Sequence, residues 1–181
     1  IHMSVELADK IAKQLSEINF SGIVNISGTG EPLLTKNIAD IIRKFGEKNI
    51  HIEVVTNGDV LSTKIGPKII KDVYNAGLKQ FVVSMYDGPE QINHFNKLFQ
   101  ESGIDESMYS LRDRWYDESE NYGLLYTNRA GNIKGQDVKN LGLACYYTHY
   151  AMYIDWNGDI LLCCQDMYNR TVKFGNVSER S

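Results

Sequence analysis

The chain has 181 residues, 43% of them hydrophobic, and a net charge of −4, room for one ordinary core or for a core with a small appendage. Its charges are scattered and weakly acidic, without the Lys/Arg stripe that tracks phosphates, which argues against nucleic-acid binding. No apolar run approaches the roughly 18 residues of a spanning helix and no export signal opens the chain, so a cytoplasmic protein without membrane association is expected.

Leu7, Ile11, Leu15 and Ile18 recur at helical spacing and predict an amphipathic helix over Val5 to Asn19. Ile23 to Ile26 reads as a short apolar strand, and "VNISGTGEPLL" (Val24 to Leu34) then drops into Gly28, Thr29, Gly30, Glu31 and Pro32. Thr35 or Asn37 can cap the next helix, whose apolar positions Ile38, Ile41, Ile42 and Phe45 precede Gly46. His51 to Thr56 reads as a strand ending at Asn57-Gly58. Pro67 opens a helix that Gly77 closes, and Gln80 to Met85 is a third strand. After Asp87-Gly88-Pro89 a helix carries Ile92, Phe95, Leu98 and Phe99, with His94 facing solvent and Gly103 following. Strands alternating with helices at short intervals imply βαβ units and a parallel sheet.

Beyond about residue 105 helical periodicity fades, and a second, smaller unit is expected. Its clearest element is "YAMYIDWNGDILLCC", two apolar runs around Asn157-Gly158, the pair that suits a two-residue type I′ turn. With those two turn residues Met152 faces Cys163, and strand alternation keeps Cys163 and Cys164 on opposite faces. Tyr146, Tyr147, Tyr150 and Tyr153 beside this hairpin are read as half-buried packing or as the lining of a substrate cleft.

In a parallel sheet, ligands bind beyond the carboxyl ends of the strands. Gly28-Thr29-Gly30, Asn57-Gly58, Ser84 and Arg112 are read at or just after such ends, converging on one rim. Glycines there allow backbone groups close to a ligand, and Glu31 suits an ammonium while repelling phosphate. No Gly-Lys-Ser/Thr and no third glycine of a dinucleotide fingerprint follow. A plain reading stands beside this one: the glycines make a tight turn, Glu31-Pro32 favours a helix start, Ser84 is a solvated strand end, and Arg112 pairs loosely with Asp113.

An apolar strand followed by "GTGEPLL", a strand ending in "TNG" and one ending in "VVSMYDG" together resemble the core of radical S-adenosylmethionine (SAM) enzymes, over nearly the whole chain. The resemblance implies an α/β fold: a partial parallel (β/α) barrel-like sheet over residues 4–115, then a linker and a small β-hairpin-containing SPASM-like unit over 116–181. It implies that Gly28, Thr29, Gly30 and Glu31 hold the methionine ammonium of SAM, and that Ser84, with Asn57 and Arg112, contacts ribose and carboxylate. The family's CxxxCxxC loop, whose thiolates hold the [4Fe–4S] cluster that cleaves SAM, is absent. It would precede the first helix, and Ile1-His2-Met3 reads as a cloning remnant. Truncation is therefore the expectation, with a chain inactive in radical chemistry as given.

Cys145, Gly158 and Cys163 are spaced as at the opening of the SPASM or "twitch" extension of that family, where thiolates hold an auxiliary iron–sulfur cluster. The family spacing selects Cys163 over Cys164. Three cysteines leave an all-thiolate set one short, for which His149 or Asp166 is a substitute; structural zinc and ordinary buried thiols are the other readings. "YTNRAGNI" (Tyr126 to Ile133, with Arg129) and "KFGNV" (Lys173 to Val177) also resemble segments of radical SAM/SPASM proteins. The implied parent is an oxidoreductase that abstracts hydrogen from a peptide or small metabolite, served by an electron donor such as flavodoxin or ferredoxin. A cluster-less SAM-binding or partner-binding scaffold is the alternative, and a non-radical SAM-dependent transferase the third. Loss of the first strand predicts an open sheet edge and strand-mediated dimers.

Overall fold

The computed structural model describes residues 2–28, 30–115, 145–166 and 170–179. Thr29 and the whole of Tyr126 to Ile133, including Arg129, lie outside the described residues. The chain divides into two compact units, Ala8–Tyr116 and a second combining Ile1–Leu7 with Asp117–Ser181.

The first unit is built on four strands, β1 (Ile23–Ile26), β2 (His51–Thr56), β3 (Gln80–Met85) and β4 (Tyr109–Asp113), in the sheet order β1-β2-β3-β4. Every pair is parallel. Helix α1 (Val5–Glu17) precedes the sheet, and α2 (Ile38–Gly46), α3 (Gly66–Asn75) and α4 (Glu90–Glu101) connect its strands. Because each connection joins a strand to its next neighbour, right-handed crossovers put α2, α3 and α4 on one face of the sheet. Ring contacts agree: Phe81 of β3 meets Tyr74 of α3 at 5.4 Å and Phe99 of α4 at 5.7 Å, and Phe99 stacks on Tyr109 of β4 at 4.3 Å.

That face carries Ile52, Val54, Phe81, Val83 and Met85, all buried, against Ile42, Phe45, Ile70, Val73, Phe95 and Phe99 from the helices. Each large side chain fully buried there contributes about 2–3 kcal/mol. Alternation along the strands sends Ile23, Asn25, His51, Glu53, Val55, Gln80, Val82, Ser84, Ser110 and Arg112 to the opposite face. This second face is mostly polar, which is unusual for a parallel sheet.

Each helix read from the sequence forms. Asn37 stands at the N-cap of α2 without a side-chain capping bond. Gly46 and Gly77 let α2 approach the end of α3, since a Cβ on Gly46 would lie 2.6 Å from the Ala76 carbonyl oxygen. Asp87 and Gln91 exchange two hydrogen bonds of 3.0 Å across the start of α4. His94 is exposed and its Nε2 lies 2.9 Å from Ser62 Oγ.

In the second unit, β5 (Tyr153–Ile154), β6 (Asp159–Leu161) and β7 (Lys173–Asn176) form an antiparallel sheet in the order β5-β6-β7. A one-turn helix, α5 (Tyr147–Tyr150), precedes it. The hairpin forms, but not with a two-residue turn. Ile154 pairs with Ile160, the Asp155 N–H donates to the Asp159 carbonyl, and the Gly158 N–H donates to the Asp155 carbonyl. Of the two turn residues only Gly158 has positive φ, +87°. Trp156, Asn157 and Gly158 therefore make a three-residue loop, a type I turn closed by a left-handed glycine. The extra residue shifts the register by one and removes the expected Met152–Cys163 pairing. Moreover β6 ends at Leu161, and Cys164 begins a 3₁₀ turn (Cys164–Asp166), so strand alternation does not govern the two thiols. Tyr146, Tyr147 and Tyr150 are 69%, 48% and 73% exposed, so the expected half-buried packing is not what the structure shows for these three.

Candidate functional site

The four parallel strands end on one rim, and the loops after β1 and β2 with the end of β3 enclose an open cleft of about 320 Å³. That volume lies at the lower end of the roughly 300–1,000 Å³ usual for small-molecule sites. Gly28, Gly30, Glu31, Asn57 and Ser84 line it, and so do Ser27, Val55, Thr56 and Tyr86. Arg112 is not among the lining residues. It is exposed on β4 in register with Ser84, and it forms no ion pair among the described residues.

Glu31 is the pivot of the cleft. Its Oε1 accepts from the Leu33 N–H at 3.0 Å and from Thr56 Oγ1 at 2.8 Å, and its Oε2 accepts from the Asn57 N–H at 2.9 Å. The first of these bonds caps the 3₁₀ turn Pro32–Leu34. The other two tie the loop after β1 to the end of β2. A carboxylate offers about four acceptor positions, so among the described residues three are filled and one remains on Oε2. The residue thus does both things read from its position: it starts a helical turn, and it presents a fixed anionic acceptor in a cleft.

Gly30 and Gly58 differ in why they are glycine. A Cβ on Gly58 would lie 2.3 Å from Phe95 Cζ, and its φ is +83°, so packing and backbone both require glycine there. Gly30 has ordinary φ, and a Cβ on it would meet nothing within 4 Å. The fold places no demand on Gly30; the space beside it is open. Asn57 contributes its backbone N–H to Glu31, while its amide is engaged with Asp59 through bonds of 2.7 and 3.1 Å. Ser84 is 7% exposed, a buried strand end rather than a solvated one. Thr56 and Tyr86 were not read from the sequence. The Thr56 hydroxyl holds Glu31 from 25 positions away, a contact with no local signature, whereas Tyr86, 58% exposed beside Ser84, had the signal of an aromatic residue just past a strand end.

In the second unit Cys145 is exposed and Cys163 and Cys164 are half-buried, none of the three in a disulfide. Among the described residues no three His, Cys, Asp or Glu side chains converge into a metal-holding group. Asp166 is buried, and both its oxygens are used: Oδ1 accepts from the Thr171 N–H at 2.9 Å and Oδ2 from the Val172 N–H at 3.0 Å. These bonds hold its carboxyl below the usual range, against the opposing effect of burial. It closes the cysteine-bearing loop. Beneath that loop Asp159 accepts from Lys173 Nζ at 2.5 Å and from Asn176 Nδ2 at 2.8 Å, which with Asn157 lower its pKa to about 2. Arg170 pairs with Asp155. Cys163 and Cys164 are adjacent thiols on one loop, donors that suit an iron–sulfur group, but the described residues alone do not assemble a ligand set.

Residues 145–181 match the SPASM family, described as an iron–sulfur cluster-binding domain. Over 182 residues the chain is 24% identical to the S-adenosyl-L-methionine-dependent 2-deoxy-scyllo-inosamine dehydrogenase of Niallia circulans, covering 98% of this chain and 67% of that protein. The fold is similar to that of BtrN in complex with AdoMet and 2-DOIA, with a TM-score of 0.76 at 22% identity over 98% of this chain and 67% of the other. Against SuiB of Streptococcus suis bound to S-adenosylmethionine the TM-score is 0.50 at 16% identity, covering 98% and 57%.

Proposed function

We propose, for a chain with the core of a radical SAM enzyme and a SPASM-type C-terminal segment, that the cleft beside Glu31 binds S-adenosylmethionine in an oxidoreductase acting on a small metabolite or a peptide. Residues 4–115 are the SAM-binding core, and residues 116–181 are the linker and SPASM-like unit. Among the described residues, the fixed Glu31 carboxylate with one open acceptor position carries this reading. A protonated amine completes the carboxylate with a charge-assisted bond and needs no reorganisation, because Leu33, Thr56 and Asn57 already hold it. Gly28 and Gly30 leave the backbone bare for close approach, Thr29 between them belongs to the same proposed loop, Ser84 offers a hydroxyl in the cleft, and Arg112 is the cation one strand further along, suited to a carboxylate.

A reduced [4Fe–4S] cluster, when bound, supplies reductive cleavage of S-adenosylmethionine to methionine and a 5′-deoxyadenosyl radical that takes hydrogen from substrate. This sequence has no CxxxCxxC, and none of its residues is assigned to that cluster. Cys145 and Cys163 are assigned as thiolates toward an auxiliary cluster, with Cys164 as the lesser candidate. The electron donor is of the flavodoxin or ferredoxin kind. Among the described strands β1 pairs only with β2, and its free edge is the proposed route to strand-mediated dimers.

The test is calorimetric titration of the chain and of Gly30→Val with S-adenosylmethionine. Because no atom lies within 4 Å of a Cβ at Gly30, the variant is expected to keep its unfolding midpoint and to lose at least tenfold in affinity. Binding unchanged in the variant, or absent from the parent chain, contradicts the reading.

A further inference from the structure

We infer that Ser62 and His94, two residues that do not line the cleft, are positioning residues for it: they hold the Asn57-Gly58 turn, whose two backbone N–H groups orient Glu31. This rests on the reading of the Glu31 cleft as the S-adenosylmethionine site and names side chains on which that site depends without ligand contact.

Both N–H groups of the turn serve Glu31. That of Asn57 reaches Oε2 directly, and that of Gly58 donates to Thr56 Oγ1 at 3.0 Å. A hydroxyl carries one proton. With Thr56 Oγ1 accepting from Gly58, its proton is directed to Glu31 Oε1, 2.8 Å away. The way the carboxylate faces the cleft therefore follows the placing of two consecutive peptide groups. Gly58 does not set that placing by itself, because its φ of +83° is only one of many conformations open to glycine.

The hold comes from the other side of Gly58. Its carbonyl accepts from the Ser62 N–H at 3.0 Å and from Ser62 Oγ at 3.2 Å, and Ser62 Oγ lies 2.9 Å from His94 Nε2. A carbonyl only accepts, so for both side-chain contacts to be hydrogen bonds the Ser62 proton goes to Gly58 and His94 Nε2 is a donor to Ser62. The next residue of α4, Phe95, stands against Gly58 where a Cβ would be. Two successive residues of one helix thus grip Gly58, one by packing and one through a hydrogen-bonded hydroxyl. The start of α4 is in turn fastened by the Asp87–Gln91 bonds to the loop after β3, and Tyr86 of that loop lines the cleft. Helix α4 ties the Glu31 side of the cleft to the Tyr86 side.

The test compares the parent chain with Ser62→Ala, His94→Ala, His94→Gln and the double alanine variant. Each is titrated calorimetrically with S-adenosylmethionine and with 5′-methylthioadenosine, which lacks the amino-acid end, and amide hydrogen exchange is followed by ¹⁵N NMR on the free chain. Both side chains are exposed, so unchanged unfolding midpoints are expected. Each single alanine variant is expected to weaken S-adenosylmethionine about fivefold, to leave 5′-methylthioadenosine unchanged, and to speed exchange at Asn57 and Gly58. His94→Gln, which keeps a donor, recovers most of the loss, and the double variant is no worse than either single one, since the pair acts as a unit. Unchanged affinity for S-adenosylmethionine, or an equal loss for both ligands, overturns the inference. If the parent chain does not bind S-adenosylmethionine the preceding reading fails instead, and exchange on the free chain decides this one: faster rates at Asn57 and Gly58 in His94→Ala uphold the grip on the turn, and unchanged rates overturn it.

Discussion

Glu31 and Asp166 are two carboxylates with the same local chemistry and opposite settings. Each gathers backbone N–H groups to close a loop: Glu31 those of Leu33 and Asn57, Asp166 those of Thr171 and Val172. Asp166 is buried, and each of its oxygens points at a backbone amide of its own loop. Glu31 stands in the wall of a cleft with, among the described residues, an acceptor position to spare. Loop closure and ligand binding draw on the same hydrogen-bonding capacity, and what separates a structural carboxylate from a binding one is whether the fold leaves part of that capacity open to a cleft.

The strongest way to sharpen this contrast is Gly58→Ala. A Cβ there overlaps the buried Phe95 ring and a left-handed backbone, so a loss of about 3 kcal/mol is expected by chemical denaturation, with S-adenosylmethionine affinity per folded molecule unchanged. Asp166→Ala leaves two backbone N–H groups without their acceptor and is expected to destabilise the second unit by about 2 kcal/mol. Loss of hydrogen-exchange protection at Thr171 and Val172, with protection in the parallel sheet retained, is the check.

A smaller effect follows from pH. Asp159, whose ordinary carboxyl pKa is 3.8, titrates at about 2 when folded, so its contribution is complete above 3.8 and is lost as pH falls toward 2. Asp166, also lowered, adds to the loss in the same direction. Thermal unfolding of the second unit followed from pH 5 to pH 2 is expected to lose midpoint over that interval, and Asp159→Asn to flatten the slope. Gly30→Ala, the smallest change, is expected to shift stability by no more than about 0.5 kcal/mol, since the added methyl group meets open space.

Much of the parallel unit was legible because its elements carry their own periodicity. The strands Ile23–Ile26, His51–Thr56 and Gln80–Met85 stood out as apolar runs ended by glycine or a turn, and Ile38, Ile41, Ile42 and Phe45 as one helix face. The strand Tyr109–Asp113 was not delineated, because only Tyr109 in it is buried and its polar residues resemble a loop. The hairpin was legible in existence but not in turn type. Asn157-Gly158 fits two turn geometries, and the choice depended on Trp156 joining the loop and on Asn176 donating to the Asn157 carbonyl from β7. In the cleft, Gly30 and Glu31 were readable as a motif, while Thr56 as the partner of Glu31 was not, since a side-chain bond across two strands leaves no trace in local spacing. Asp166 read as a spare ligand because sequence gives no count of the acceptors already in use.

The most direct measurement is a ¹H–¹⁵N titration of the chain with S-adenosylmethionine. The account predicts saturable shifts of the amides of Gly30, Glu31, Asn57 and Ser84, with residues 153–177 unmoved. Shifts confined to residues 153–177, or none at saturating concentration, would contradict the assignment of the Glu31 cleft as the binding site.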